Sequence, residues 1–239
     1  MIKFFLKKFL EREVLVSDKK KDSIEYQVLT WGPCVVKMKM TDAYHKTLTE
    51  EADASQIESQ LYQDKLAGII KKEYELKDYT KIQPFISDIV RIYDHIWDKW
   101  RNVDKPSSNQ YLINALWVNY QKQYEFNPPH DHSDDLSFVA YLRIPEELKK
   151  EYKEYKGKSS GPGGISFLYG EGNRQAITYQ AYFPEEKDFF IFPAWLKHWV
   201  APFQSDVERV SVSGNIASHI PFKAIKPEAL IKKVTKNES

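Results

Sequence analysis

From residue 109 onward the chain is written as short period-two segments broken by turn residues: YLINALWVNYQ, LSFVAYLRI, GGISFLYG, AITYQAYF, DFFIFPA and RVSVSGNIAS. Alternation sends successive side chains to opposite faces of a strand, and many short strands between turns predict a sandwich or a closed barrel. Ahead of them, IQPFISDIVRIYDHIWDKW sets Phe85, Ile89, Ile92, Ile96 and Trp100 at helical spacing, with Pro84 suited to a first turn. Residues 24–40 read as strand, turn at Gly32-Pro33, strand, and residues 42–75 as helical with a polar, acidic middle. The charged stretch Glu146 to Lys158, followed by SSGPGG, reads as a solvated, mobile excursion between strands, and KPEALIKKVTKNES as a short helix and frayed tail. No Pro/Gly/Ser-rich stretch divides the 239 residues, so a single domain is expected: 1–108 strand and helices, 109–220 the β core, 221–239 a tail.

Composition removes several function classes. Hydrophobic residues at 42% suffice for a core, while 35 Lys plus Arg against 34 Asp plus Glu supply no general attraction for nucleic acid or anionic membrane. Cys34 is the only cysteine, which excludes an internal disulfide and a thiolate cluster and fits a reducing compartment. Lysines 3, 7 and 8 interrupt the apolar N-terminus, and nowhere do about 18 uncharged apolar residues run together. A cytoplasmic protein without a membrane span is expected.

Three histidines carry the chemistry. His130 and His132, in NPPHDHSDD, lie two apart, and in extended chain such side chains share a face, so two imidazoles can share one ion. His198 follows an aromatic strand ending in Pro193, far enough downstream for several strands to intervene. Beyond it, ERVSVSGN places Arg209, Ser211, Ser213 and Asn215 on one face of a strand. A guanidinium with a hydroxyl two residues on makes a clamp for a carboxylate beside the metal. His45, His95 and His219 have no partner nearby in sequence and are assigned no role.

The order His-x-His, an aromatic strand ending FP followed by a histidine, then Arg-x-Ser resembles the 2-oxoglutarate- and iron(II)-dependent oxygenase superfamily, in particular a bacterial and phage branch with a His-x-His motif. The likeness runs from about Tyr111 to Ile216. It implies a mainly β chain with α additions: a double-stranded β-helix (jelly-roll) core with N-terminal helices, holding Fe(II) and the cosubstrate 2-oxoglutarate. It further implies His130 and His198 as metal ligands, and Arg209, Ser211 and Tyr141 around the cosubstrate carboxylate. The expected reaction is hydroxylation of an unidentified small molecule or protein side chain, with release of succinate and CO2.

The superfamily ordinarily has a carboxylate where this chain has His132. Either three imidazoles form the site, or His132-Ser133-Asp134 is itself the His-x-Asp element and His130 stands behind it. Two other functions compete: a non-catalytic metal-binding jelly-roll module, and a three-histidine dioxygenase without 2-oxoglutarate. Substrate and oligomeric state are not encoded in any motif.

Overall fold

The computed structural model describes residues 32–58, 61–101, 110–172, 175 and 177–219, all in a compact unit that begins at Gly32. Strand β1 (Val36–Lys39) precedes helix α1 (Asp42–Glu58), strand β2 (Glu73–Glu75) and helix α2 (Gln83–Trp100). The core then follows as β3 (Gln110–Gln121), β4 (Asn127–His130), β5 (Leu136–Arg143), α3 (Glu146–Glu154), β6 (Ile165–Leu168), β7 (Tyr179–Tyr182), β8 (Asp188–Pro193), β9 (Lys197–Val200) and β10 (Arg209–His219).

These strands form two antiparallel sheets, ordered β1-β8-β5-β10-β3-β2 and β4-β9-β6-β7. From β3 to β6 the chain crosses between sheets at every step, and after the β6–β7 hairpin β8, β9 and β10 do so again, which is the winding of a double-stranded β-helix. The expected fold class, mainly β with α additions and a jelly-roll core, is what the chain adopts.

Alternation gives the larger sheet two unlike faces. Outward, Leu116, Val118, Phe138, Ala140, Phe189, Ile191, Val210 and Val212 are buried with Leu48 of α1 and Phe85, Ile86, Ile89 and Tyr93 of α2 in one apolar cluster. Gly214 lets this layer close on β5, since a Cβ there would meet the Phe138 ring at 2.7 Å and the Ala115 carbonyl at 2.8 Å. Between the sheets, Val139, Tyr141, Ile165, Phe167, Phe190, Phe192 and Val200 make a second cluster on the β5/β8 side.

Several sequence expectations are corrected. Helix α1 stops at Glu58, and residues 73–75 are a strand because Glu73, Tyr74 and Glu75 pair with Asn119, Val118 and Trp117. Tertiary pairing there overrides local propensity. In α2 the buried stripe is Phe85, Ile86, Ile89, Val90 and Tyr93, whereas Ile92 is exposed and Trp100 partly so. The stretch from Glu146 contains α3, whose Leu148 is fully buried, and the Ser160–Gly164 turn is buried too. The first half of the 24–40 hairpin and the C-terminal tail lie outside the described residues. Among the described residues no helix is long and apolar enough to cross a membrane.

Candidate metal centre and anion cleft

Antiparallel pairing of β4 with β9 sets His130 directly opposite His198, and their rings stand 4.3 Å apart between centroids. His132 lies just past the end of β4, anchored where its backbone N–H donates to the Ala194 carbonyl at 2.9 Å. The anchor turns its ring to 5.0 Å from His130 and 5.2 Å from His198. One nitrogen from each of the three rings lies within 4.8 Å of the others.

Hydrogen bonds select which nitrogens are free. Nδ1 of His130 is 2.7 Å from the Pro128 carbonyl and Nδ1 of His198 is 2.8 Å from the Leu196 carbonyl. A carbonyl only accepts, so each Nδ1 carries the proton and each Nε2 keeps its lone pair, the arrangement seen in metal-binding histidines. Burial, reinforced by His130, pushes His132 down to about 4 and His198 down to about 3. Both are neutral imidazoles at physiological pH, ready to donate to a metal. Three neutral donors suit Fe(II), as they suit other first-row divalent ions. Asp134, the alternative ligand, lies outside this group and accepts a hydrogen bond from Asn114 at 3.0 Å.

The same cavity is lined by Arg209, Ser211, Asn119 and Asn127 together with the three histidines. Arg209 is 2% exposed, and its Nη1 donates to the Gly163 carbonyl at 2.9 Å. Gly163 adopts φ 69°, and a Cβ there would press on Leu148 at 3.1 Å. Glycine thus allows the turn to pass close to α3 while its carbonyl faces the guanidinium. The Arg209 guanidinium lies 5.3 Å over the Tyr141 ring. Its Nε and the Tyr141 hydroxyl are both buried without hydrogen-bond partners, and among the described residues no carboxylate pairs with this arginine. Burial lowers the Arg209 pKa and pushes Tyr141 up to about 12. Two unmet donors and an uncompensated positive charge make a cleft that demands an anion.

The fold thus brings His130, His132, His198, Arg209 and Ser211 to one cavity and puts Tyr141 against Arg209. Asn215 instead accepts from Ser137 at 2.8 Å. Phe190 and Phe192 are buried, Phe192 packing edge-on against His198, while Trp195 is exposed and Trp199 stacks on Tyr179. His45 sits at the core edge, its Nε2 2.8 Å from the Leu142 carbonyl. Sequence reasoning missed Asn119 and Asn127, and it missed Glu73 and Gly163. Asn119 and Gln121 on the alternating phase of an otherwise apolar strand were the available signal.

Residues 115–215 match a family model described as "Putative 2OG-Fe(II) oxygenase". No curated protein matches the chain. Among solved structures, a Pseudomonas putida prolyl-4-hydroxylase is similar at 12% identity and a TM-score of 0.47, over 77% of this chain and 91% of that one. A viral collagen prolyl hydroxylase from Paramecium bursaria Chlorella virus-1 is similar at 12% identity and 0.44, over 76% and 94%. A Trichoplax adhaerens prolyl hydroxylase is similar at 11% identity and 0.48, over 78% and 83%. The family match spans all three histidines and Arg209, and over that segment the resemblance of this chain to the 2-oxoglutarate- and iron(II)-dependent oxygenases is established.

Proposed function

We propose that this chain is an iron(II)- and 2-oxoglutarate-dependent dioxygenase that hydroxylates its substrate with release of succinate and CO2. The observation that carries the reading is Arg209: a buried guanidinium with no acidic partner among the described residues, lining the same cavity as three converging imidazoles. A cationic cleft beside a metal site is what a cosubstrate with a metal-chelating 2-oxo acid at one end and a free carboxylate at the other requires.

In this reading His130, His132 and His198 hold Fe(II), and Arg209, Tyr141 and Ser211 hold the far carboxylate. When bound, the metal and 2-oxoglutarate together supply oxygen activation coupled to oxidative decarboxylation of the cosubstrate. The protein does the rest. The carbonyls of Pro128 and Leu196 keep the two paired imidazoles in the donating tautomer and fixed in direction. Arg209, held by Gly163, and the Tyr141 hydroxyl present fixed donors, so little order is lost when the carboxylate arrives. The apolar wall of Phe167, Phe192 and Val200 keeps bulk water from one side of the centre. Three neutral ligands leave the metal its full charge, which strengthens its hold on an anionic chelator. A reducing, cytoplasmic setting would suit both a ferrous centre and the free, buried Cys34.

The test is anaerobic titration of the iron(II)-loaded protein with 2-oxoglutarate, following the visible metal-to-ligand charge-transfer band. The band forms in the wild type and weakens in Arg209→Ala. Iron binding without a band would remove 2-oxoglutarate from the account.

A further inference from the structure

The inner face of the larger sheet carries a row of side chains fixed by register. Glu73 of β2 pairs with Asn119 of β3, Asn119 with Ser211 of β10, and Ser211 with Tyr141 of β5. Strands lie about 4.8 Å apart, so the ends of this row are separated by roughly 14 Å. The two ends have opposite needs. At the β5/β10 end the unmet groups are donors, Arg209 Nε and the Tyr141 hydroxyl; at the β2/β3 end they are acceptors, both oxygens of Glu73, Asn119 Oδ1 and Gln121 Oε1.

Glu73 is the sharpest anomaly in the described part of the molecule. It is 0% exposed, and neither oxygen has a partner among the described residues. Asp188, equally buried on the same sheet, is matched by Lys37 at 2.8 Å and Lys39 at 2.9 Å, whereas among the described residues no cation pairs with Glu73. A buried carboxylate without a counter-charge is expensive. The charge that bears on it is that of Glu125, from the β3–β4 turn, whose own oxygens accept from the backbone N–H groups of Lys71 and Lys122. Glu75 follows two residues along β2, Lys72 precedes Glu73 in the chain, the Tyr62 backbone N–H donates to the Glu73 backbone carbonyl at 2.7 Å, and Asn119 and Asn127 beside it do not titrate. Asn127 abuts Glu73 at Gly68, where a Cβ would meet Asn127 Oδ1 at 2.2 Å and Glu73 Oε1 at 3.1 Å. Asn119 and Asn127 line the cavity that holds His130, and Glu73 stands directly behind them, one strand pairing away from Asn119.

We propose that Glu73, flanked by Asn119 and Asn127, is a recognition site for a cationic nitrogen, an ammonium or guanidinium, on the substrate of this dioxygenase. The inference rests on the dioxygenase reading and adds the substrate's chemical class. A cation at Glu73 and a dicarboxylate at Arg209 satisfy the two ends of the row in opposite senses, and the asparagines supply neutral acceptors for the remaining N–H groups. Burial and the charge of Glu125 push Glu73 up to about 8, so the empty site is mainly protonated at pH 7 and takes up a cation with release of a proton.

The experiment titrates the anaerobic protein, loaded with iron(II) and 2-oxoglutarate, with butylammonium and butylguanidinium, using pentan-1-ol and pentanoate as neutral and anionic controls. The readout is perturbation of the charge-transfer band. At least one cation should perturb it, the controls should not, and Glu73→Gln should weaken cation binding at least tenfold while the 2-oxoglutarate band stays intact. Equal cation binding by Glu73→Gln, or no response of the wild-type band to either cation, overturns the site. Should the variant not fold, calorimetry on the wild type at pH 7 in two buffers of different ionisation enthalpy decides: proton release supports the site, and its absence overturns it. If 2-oxoglutarate gives no band at all, the dioxygenase reading fails by itself, and the same calorimetry on the iron(II) protein tests the cation site independently.

Discussion

The two faces of the larger sheet are made by the same strands and obey different rules. On the outer face Leu116, Val118, Phe138, Val212 and their neighbours are buried against α1 and α2 with few polar atoms to satisfy. On the inner face the intervening residues of β3 and β10, namely Asn119, Gln121, Arg209 and Ser211, are just as buried, yet several of their polar atoms have no partner among the described residues. One face stabilises the fold. The other carries hydrogen-bonding capacity that the protein itself leaves unmet, a cost that a bound ligand can offset. Period-two alternation lets one strand do both without compromise, because adjacent residues never share an environment.

That contrast can be broken by cutting each face separately. The largest effect should come from the outer face: Phe138→Ala should cost about 3–5 kcal/mol of unfolding free energy in urea, while the folded fraction binds iron as before. On the inner face Arg209→Met, which keeps the bulk and removes the charge, should lower 2-oxoglutarate affinity about a hundredfold, roughly 2.7 kcal/mol, with a melting temperature held or raised. If that variant unfolds instead, the inner face is structural and the contrast falls. Tyr141→Phe removes a hydroxyl that has no partner in the unliganded fold, so about 1 kcal/mol of cosubstrate affinity should go with no loss of stability.

Glu73 sharpens the comparison through pH. Its folded value is raised from 4.5 to about 8, so its contribution to stability is fully present below 4.5 and is lost as pH rises through 8. Thermal melts should therefore show Glu73→Gln gaining on the wild type from about pH 5 to pH 8; a constant difference would contradict this. The smallest effect should come from the exposed side of α2, where Ile92→Ser should change stability by less than about 0.5 kcal/mol, although the sequence spacing groups Ile92 with the apolar residues of that helix.

What could be read from the sequence was what local spacing encodes. His130 and His132 are two apart because they leave one extended segment together, and Arg209 and Ser211 are two apart for the same reason. The strand segments announced themselves by period, which left sandwich and closed barrel open, and the jelly-roll class came from the family resemblance carried by the histidines and the Arg-x-Ser pair. What could not be read depends on partners distant in the chain. Nothing in KKEYELK signals that Glu73 pairs with Asn119, since a three-residue strand has no period of its own. Helix α2 has apolar residues on more than one stripe, and contact with the sheet, not spacing, decides that Ile86, Val90 and Tyr93 are buried while Ile92 is not. Leu148 is a single apolar side chain among charges in α3, too sparse a signal for a packed helix.

The turn that holds Arg209 draws a boundary in the chain that no composition would suggest. Residues 153–159 are exposed, whereas Ser160 through Phe167 are buried and include the Gly163 carbonyl that receives the guanidinium. A peptide spliced in at Gly157 would loop into solvent and leave the cleft intact. The same peptide spliced in five residues later would separate the carbonyl from the arginine and, under the proposed dioxygenase reading, leave the three histidines in place while loosening the grip on the cosubstrate that such a reaction spends in every turnover.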